Sequence, residues 1–380
     1  MNVYVRELSS ALARAGVECD VYTRADRDGL DEIVRVEPGF RVHHVEAGPV
    51  GPVDRHALPG LVDAFTQGVL DRLRDTPADA LHANYWLSGV AGHAIKHELD
   101  LPLVSTFHTL ARVKADAGDD EPDERVRAEH EVMACSDAVL ASCSVEAAQL
   151  RQLYGVDPDR IEIVAPAVDH AFFAPGNRAQ ARRAINLPEA PKIVLFVGRI
   201  QALKGLDVAV AAFAQLRDRD ALMVVVGGPS GPDGEVEHAR VEKLAADLGV
   251  NDRIIWRDPQ PHELLSTYYR ASNVVMVPSR SESFGLVALE AAACGTPVVA
   301  AAVGGLRTLV DHGRTGFLVE GRDPAVFASF AGEVLGNEPL AIEMGANAAQ
   351  NAMRYQWSVS AARLRRLYSD LTARTLTPCQ

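Results

Sequence analysis

Four apolar runs in the second half of the chain, at 193–197, 223–226, 274–277 and 298–303, show no alternation of polar and apolar residues. A strand that buries one face alternates. A strand buried on both faces does not, and that is the condition of a parallel sheet covered by helices on each side. Between these runs lie helical segments at 206–216, 236–248 and 262–271, and an alanine-rich one from about 285 to the stop at Gly295. Repeated strand–helix alternation predicts an α/β fold with a mostly parallel sheet.

The first half alternates in the same way. Strands are predicted at 17–23, 40–45, 80–84, 101–107, 138–141 and 161–164, with helices at 1–16, 61–73, 90–98, 125–135 and 145–154. An acidic stretch at 116–124 reads as a surface loop. At 380 residues the chain exceeds what one core usually supports, so two domains are expected. The proline-rich stretch from Pro166 to Pro191 marks the connection between them. The predicted division is 1–170, a linker at 171–190, 191–355, and a closing helical segment at 356–380 that packs back on the first domain. Such domains place the carboxyl ends of their strands, where open α/β sheets bind ligands, on either side of a central cleft.

A doubly wound domain normally opens with a strand and a glycine-rich turn, but this chain opens with a helix. The expectation is therefore that a first strand precedes Met1 and that activity requires it.

A net charge of −13 argues against nucleic-acid binding and against attraction to anionic lipid. No apolar run approaches the length of a membrane span. The five scattered cysteines lack zinc-site spacing and read as reduced thiols of a cytoplasmic protein. A homodimer is left open.

Two stretches carry chemistry. In Phe196-Val197-Gly198-Arg199-Ile200-Gln201-Ala202-Leu203-Lys204-Gly205, two cations follow a strand end. Arg199 can fork two phosphate oxygens, and Lys204 supplies a point charge. In the 278–299 stretch, strand, polar loop and helix N-terminus follow one another, and the helix start offers free N–H groups to an anion. Glu282 lies in that loop and Glu290 in the helix, too far apart for a metal pair on one helical face. Each carboxylate can accept hydrogen bonds from sugar hydroxyls. The bland reading makes Glu290 a solvated charge, but its neighbours Leu286, Val287, Leu289, Ala291 and Ala293 read as a buried helix. His108 alone is more often structural, yet it stands at a strand's carboxyl end. The Asp-Arg-Asp triplets at 26–28 and 218–220 read as solvated charges rather than a metal motif.

Arg199 and Lys204 together with Glu282 and Glu290 resemble the nucleotide-sugar signature of the retaining family-four glycosyltransferases of GT-B fold. The likeness runs along essentially the whole chain. Within that family, Met1–Val5, Tyr85–Gly89, His108–Lys114 and Gly227–Gly231 most resemble the branch that transfers N-acetylglucosamine to inositol phosphate in mycothiol synthesis. Bacterial sucrose-phosphate synthases are similar too. The resemblance implies a catalytic set of Arg199, Lys204, Glu282 and His108. It places the donor diphosphate on Arg199 and Lys204, the ribose on Glu290 and the sugar on Glu282, with Ser283, Phe284, Gly285 and Leu286 completing the donor side. Asn2, Arg55, Tyr85, Thr109 and Arg125 would hold the acceptor and its phosphate. Arg55 and Asn84 depart from the family's usual Lys and His, and 115–124 also departs.

The implied activity is transfer, with retention, from a nucleotide-diphospho-sugar, UDP-linked first, to a phosphorylated polyol or sugar, with no metal and no cofactor. Two other readings stay open: a nucleotide-sugar-binding protein without turnover, and a sugar-nucleotide 2-epimerase. The epimerase would need catalytic carboxylates on the first domain, which are not evident.

Overall fold

The structure is a computed structural model in which residues 2–118, 121–231 and 233–377 are described. The chain divides into two compact units, Met1–Ala165 with Trp357–Gln380, and Pro166–Gln356. Residues 171–190 lie in the second unit and contain a short helix, Arg178–Ala184.

Among the described residues, the first unit holds two separate sheets. One has three strands, β1 (Cys19–Arg24), β2 (Ile33–Glu37) and β3 (Phe40–Val45), in the order β1-β3-β2. Here β1 and β3 pair in parallel, while β2 runs antiparallel along the edge. The sequence reading contains no β2, because its apolar side chains Ile33, Val34 and Val36 stay exposed rather than joining a core. The other sheet is parallel and in chain order: β4 (Leu81–Asn84), β5 (Leu103–Thr106), β6 (Ala138–Ala141) and β7 (Ile161–Ile163). β6 is apolar and buried throughout, as a strand covered on both faces must be, and β5 buries Leu103, Val104 and Ser105. The helix Asn2–Arg14 buries Tyr4, Leu8 and Leu12, spaced at i, i+4 and i+8. They share a core with Ala361, Leu364 and Leu371 of the last helix, Trp357–Thr372.

The second unit is built on one six-stranded parallel sheet. Its strands are β8 (Ile193–Val197), β9 (Leu222–Val226), β10 (Ile254–Arg257), β11 (Val274–Val277), β12 (Val298–Ala301) and β13 (Gly316–Val319). Their order is β10-β9-β8-β11-β12-β13. The chain first winds outward from β8 through β9 to β10, then returns to lay β11 on the other side of β8. The sense of winding reverses between β8 and β11, and such a reversal opens a crevice at the strands' carboxyl ends. The helices Leu206–Ala214 and Pro324–Gly336 pack on the sheet through Phe213, Val210, Phe327 and Ala331, all fully buried.

The cysteine expectation is corrected at one position. Cys19, Cys143 and Cys294 stand outside any disulfide, but Cys135 is disulfide-bonded. Cys379 lies outside the described residues. The spacing rules that argue for reduced thiols see only neighbours in sequence, whereas a disulfide needs only neighbours in space.

The loops after β8 and β11 touch at Gly205. This residue has φ +72°, and a Cβ added there would lie 2.1 Å from the Pro278 carbonyl oxygen. The Arg280 amide also donates to the Leu203 carbonyl at 2.8 Å, tying the same two loops together. Gly205→Ala should therefore lower the thermal melting temperature, with a loss of about 1–3 kcal/mol from overpacking and backbone strain combined. Chemical denaturation of the variant checks this, and an unchanged midpoint would refute it.

Candidate active site

In the second unit the two predicted stretches flank the point of reversal. Lys204 ends a short 3-10 turn after β8, and Glu282 sits in the loop after β11. Because β8 and β11 are paired neighbours, the two meet: Lys204 Nζ lies 2.7 Å from Glu282 Oε2. Both side chains are partly exposed. The Glu282 loop is pressed against the turn after β12. At Gly304 (φ +46°) an added Cβ would lie 1.8 Å from the Glu282 carbonyl oxygen, and the Gly305 amide donates to that same oxygen at 3.0 Å. Arg199 is exposed at the end of β8.

The helix Leu286–Ala293 begins at Gly285 (φ +104°), and no side chain caps its first turn. Its leading N–H groups are therefore open to an anion. Leu286 is half-buried at its start, and Ser283 is half-buried in the loop before it. Phe284 turns inward and packs edge-on against Tyr355.

Glu290 is buried, at 5% exposure, so the solvated reading of it fails. One carboxylate oxygen lies 2.7 Å from His262 Nε2, and the other accepts from Tyr269 Oη at 2.7 Å. Burial, then the Glu290 charge, holds the Tyr269 phenol well above its ordinary pKa, so it remains a donor. The sequence reading names neither His262 nor Tyr269. They stand seven residues apart on the helix His262–Ala271, which puts them on one helical face, but only the packing of that helix beside Leu286–Ala293 shows what they face.

In the first unit the predicted residues cluster at the carboxyl ends of β4 and β5. Asn84 ends β4 in register with Thr106 of β5, and each chain then runs on into a residue of unusual backbone. Tyr85 has φ +81° and His108 φ +61°, two of only four such non-glycine residues among those described. Left-handed backbone costs about 1–3 kcal/mol and concentrates at functional sites. His108 Nε2 lies 2.9 Å from Asn84 Oδ1; the amide oxygen can only accept, so this nitrogen carries the proton. Tyr4 packs edge-on against the His108 ring at 4.9 Å. Burial and nearby positive charge hold His108 neutral, with its pKa down to about 3. Next to it, His82 bridges Tyr368 Oη at 2.7 Å and Thr106 Oγ1 at 2.8 Å, and burial lowers its pKa to about 4.

Arg125 is more enclosed than a residue expected to bind a ligand. Its side chain is 4% exposed and ion-paired with Glu129 at 2.8 Å and Glu121 at 2.8 Å. Its remaining donors reach the Thr109 carbonyl at 2.8 Å and Thr109 Oγ1 at 3.1 Å, and its guanidinium lies 5.2 Å from the Tyr85 ring centre. Of the expected surface loop at 116–124, with 119 and 120 outside the described residues, 116, 118 and 122–124 are exposed, and Glu121 is the departure. A helix, Ala111–Asp116, precedes it, and the Glu121 carboxylate is buried between Lys114 and Arg125. An acidic run looks solvated in sequence, but a carboxylate can be buried once two cations face it. Arg55 is exposed and donates to Nε2 of the neighbouring His56 at 3.2 Å. Asn2 is exposed at the first turn of its helix.

Comparisons with known proteins show the family and the fold. Residues 1–167 match the glycosyl transferase 4-like domain, and residues 177–351 match the glycosyl transferases group 1. A D-inositol 3-phosphate glycosyltransferase from Acidothermus cellulolyticus is 44% identical over 99% of this chain and 87% of its own length. The chain belongs to this glycosyltransferase family. A second D-inositol 3-phosphate glycosyltransferase, from Xylanimonas cellulosilytica, is 45% identical over 98% of this glycosyltransferase and 92% of its own length. Among solved structures, the sucrose-phosphate synthase of Thermosynechococcus elongatus superposes with a TM-score of 0.93 at 32% identity, covering 98% of this chain and 93% of that one. The Anabaena HepE structure with UDP-glucose, at 19% identity and a TM-score of 0.76 over 87% of this chain and 86% of its own, shares the fold. The fold is that of the GT-B glycosyltransferases. No helix among the described residues is long and apolar enough to cross a membrane.

The two depressed histidines set a pH dependence for this glycosyltransferase. Folding favours their neutral forms, whereas the unfolded chain protonates them near pH 6.5. Stability is thus complete above that pH and falls as pH drops toward 4, by about 1.4 kcal/mol per pH unit per histidine. In His82→Gln the melting temperature should fall less steeply between pH 6.5 and 4.5 than in the parent. Equal slopes would mean that His82 is not held neutral.

Proposed function

We propose that the enzyme transfers a sugar, with retention, from a nucleotide-diphospho-sugar, UDP-linked in the first instance, to an inositol phosphate. The observation that carries the donor half is the meeting of Lys204 and Glu282 at the point of strand reversal, beside an uncapped helix start and Arg199. The names of the relatives support the acceptor half.

The chemistry follows from charge. The bond between the anomeric carbon and the diphosphate breaks, and negative charge grows on the departing oxygens. Arg199, Lys204 and the N–H groups from Leu286 onward supply positive potential there, so the reading calls for no metal. Glu282 accepts from sugar hydroxyls and aligns Lys204. Glu290, held by His262 and Tyr269, presents its carboxylate to the ribose diol. The acceptor hydroxyl attacks from the face the diphosphate leaves, which preserves configuration, and its proton passes to a departing phosphate oxygen.

On the acceptor side, Arg125, Thr109, Tyr85 and Lys114 form the group that would hold a phosphate. The Glu121 carboxylate now pairs with Lys114 and Arg125. An incoming phosphate displaces it, or shares the two cations with it, so Glu121 competes with the acceptor.

Lys204→Ala should cut turnover by about 10²–10³-fold with an unchanged melting curve. Retained turnover, measured as nucleoside diphosphate release in the presence of inositol phosphate, would refute the diphosphate role. Glu121→Gln should lower the acceptor KM with little change in donor KM. A raised acceptor KM would show that Glu121 organises Arg125 rather than competing for it.

A further inference from the structure

Outside the candidate site, two imidazoles of the first unit turn toward one another on the helix Trp86–Leu99. His93 and His97 stand four residues apart, and their Nε2 atoms lie 3.0 Å apart. Beside them is Cys135, the last residue of the helix Asp123–Cys135. Among the described residues these three form a group whose ring nitrogens and sulfur all lie within 4.8 Å of one another. Two nitrogens each about 2.0–2.1 Å from one ion stand about 3.3 Å apart at the tetrahedral angle, close to the spacing found. Bringing the sulfur and the ring nitrogens to coordination distance needs a shift of about an ångström, and His97 is exposed.

The main chain is already fixed for this. Lys96, between the two histidines, is buried and donates to the Cys135 carbonyl at 2.8 Å and to Asp137 at 2.7 Å. The Leu103 and Thr377 amides also donate to that Asp137 carboxylate, at 2.8 and 2.6 Å. The histidine-bearing helix and the end of the Cys135 helix are thus held together without any ion.

We propose that this cluster is a redox-gated site for a zinc-like divalent ion, with ligands His93, His97 and the Cys135 thiolate. As the structure stands, Cys135 is disulfide-bonded, and a disulfide sulfur is a poor ligand for such an ion. A cellular or added dithiol opens the site. Its two thiols donate two electrons and two protons, the cysteine disulfide becomes two thiols, and the dithiol becomes a disulfide. Metal binding then displaces the Cys135 thiol proton, while the proton between the two Nε2 atoms moves to Nδ1 of its own ring, so both imidazoles bind neutral. Water completes a tetrahedral set. Imidazole and thiolate together suit zinc, copper or cobalt and do not suit magnesium or calcium. The ion and the disulfide exclude one another, so the oxidised chain is closed by sulfur and the reduced chain by metal.

Cobalt(II), a spectroscopic stand-in for zinc, tests this on the full chain. The protein is reduced with a dithiol, freed of it by gel filtration under inert gas, and titrated alongside an unreduced sample. The expected result is one cobalt per chain with a thiolate-to-cobalt charge-transfer band in the reduced sample, none in the unreduced one, and displacement by zinc. Zinc should also raise the melting temperature of the reduced protein only. Cys135→Ser should abolish the charge-transfer band. His97→Gln, a surface change that leaves the core untouched, should weaken binding by more than the roughly tenfold that loss of an outer-shell partner costs. A band that survives in Cys135→Ser, an affinity unchanged in His97→Gln, or no binding by the reduced chain would each overturn the proposal. None of these readouts involves sugar transfer.

Discussion

The adjacency of β8 and β11 is the constraint on which the donor side depends. The two strands are far apart in sequence yet neighbours in the sheet, because the chain winds out from β8 through β9 and β10 and then starts again on its other side. Their carboxyl ends diverge into loops that nothing in the sheet fills. One loop brings Lys204 and the other Glu282, and the ion pair between them spans the crevice. The rest of the local structure fixes those loops. Gly205 lets the first come within contact of Pro278, and Gly304 lets the turn after β12 press against the backbone of Glu282. Side chains at either position would push the crevice open.

A second theme is that several of the cations proposed to meet phosphate are already partnered. Lys204 faces Glu282, and Arg125 faces Glu121 and Glu129. An unpaired buried charge costs several kcal/mol, so a guanidinium as enclosed as that of Arg125 requires a carboxylate before any substrate arrives. The arrangement costs affinity, since a phosphate must exchange with a resident anion. In return, the side chains are held in one geometry, and less ordering remains to be done on binding. Glu290 is treated likewise. His262 and Tyr269 take one oxygen each and fix the plane of the carboxylate.

Much of this was legible from residue order alone. Unbroken apolar runs such as Ile193–Val197 and Val274–Val277 mark strands buried on both faces, and alternation with helices then implies parallel sheets. Arg199 and Lys204 stand out because they follow a strand end, Glu282 because it lies between a strand and a helix start, and Glu290 because its helical neighbours are apolar. What was not legible involves residues whose meaning comes from a distant partner. His262 reads as a polar residue at a helix start, and its partner Glu290 lies 28 positions away. Cys135 reads as a thiol with no partner nearby. β2 escaped notice because its apolar residues never enter a core.

By itself the sequence determined the periodicities, hence the strands, the helices and the covered parallel sheets, since burial pattern and backbone propensity act over a few residues. It also determined which charged groups lie at strand ends. The tertiary structure alone decided which of those groups meet and which are buried. It joined Lys204 to Glu282 across 78 positions, set His262 and Tyr269 on the Glu290 carboxylate, and held Tyr85 and His108 in left-handed backbone at adjacent strand ends. Coulombic pairing and desolvation depend on distance in space, and only the order in which strands enter the sheet sets that distance.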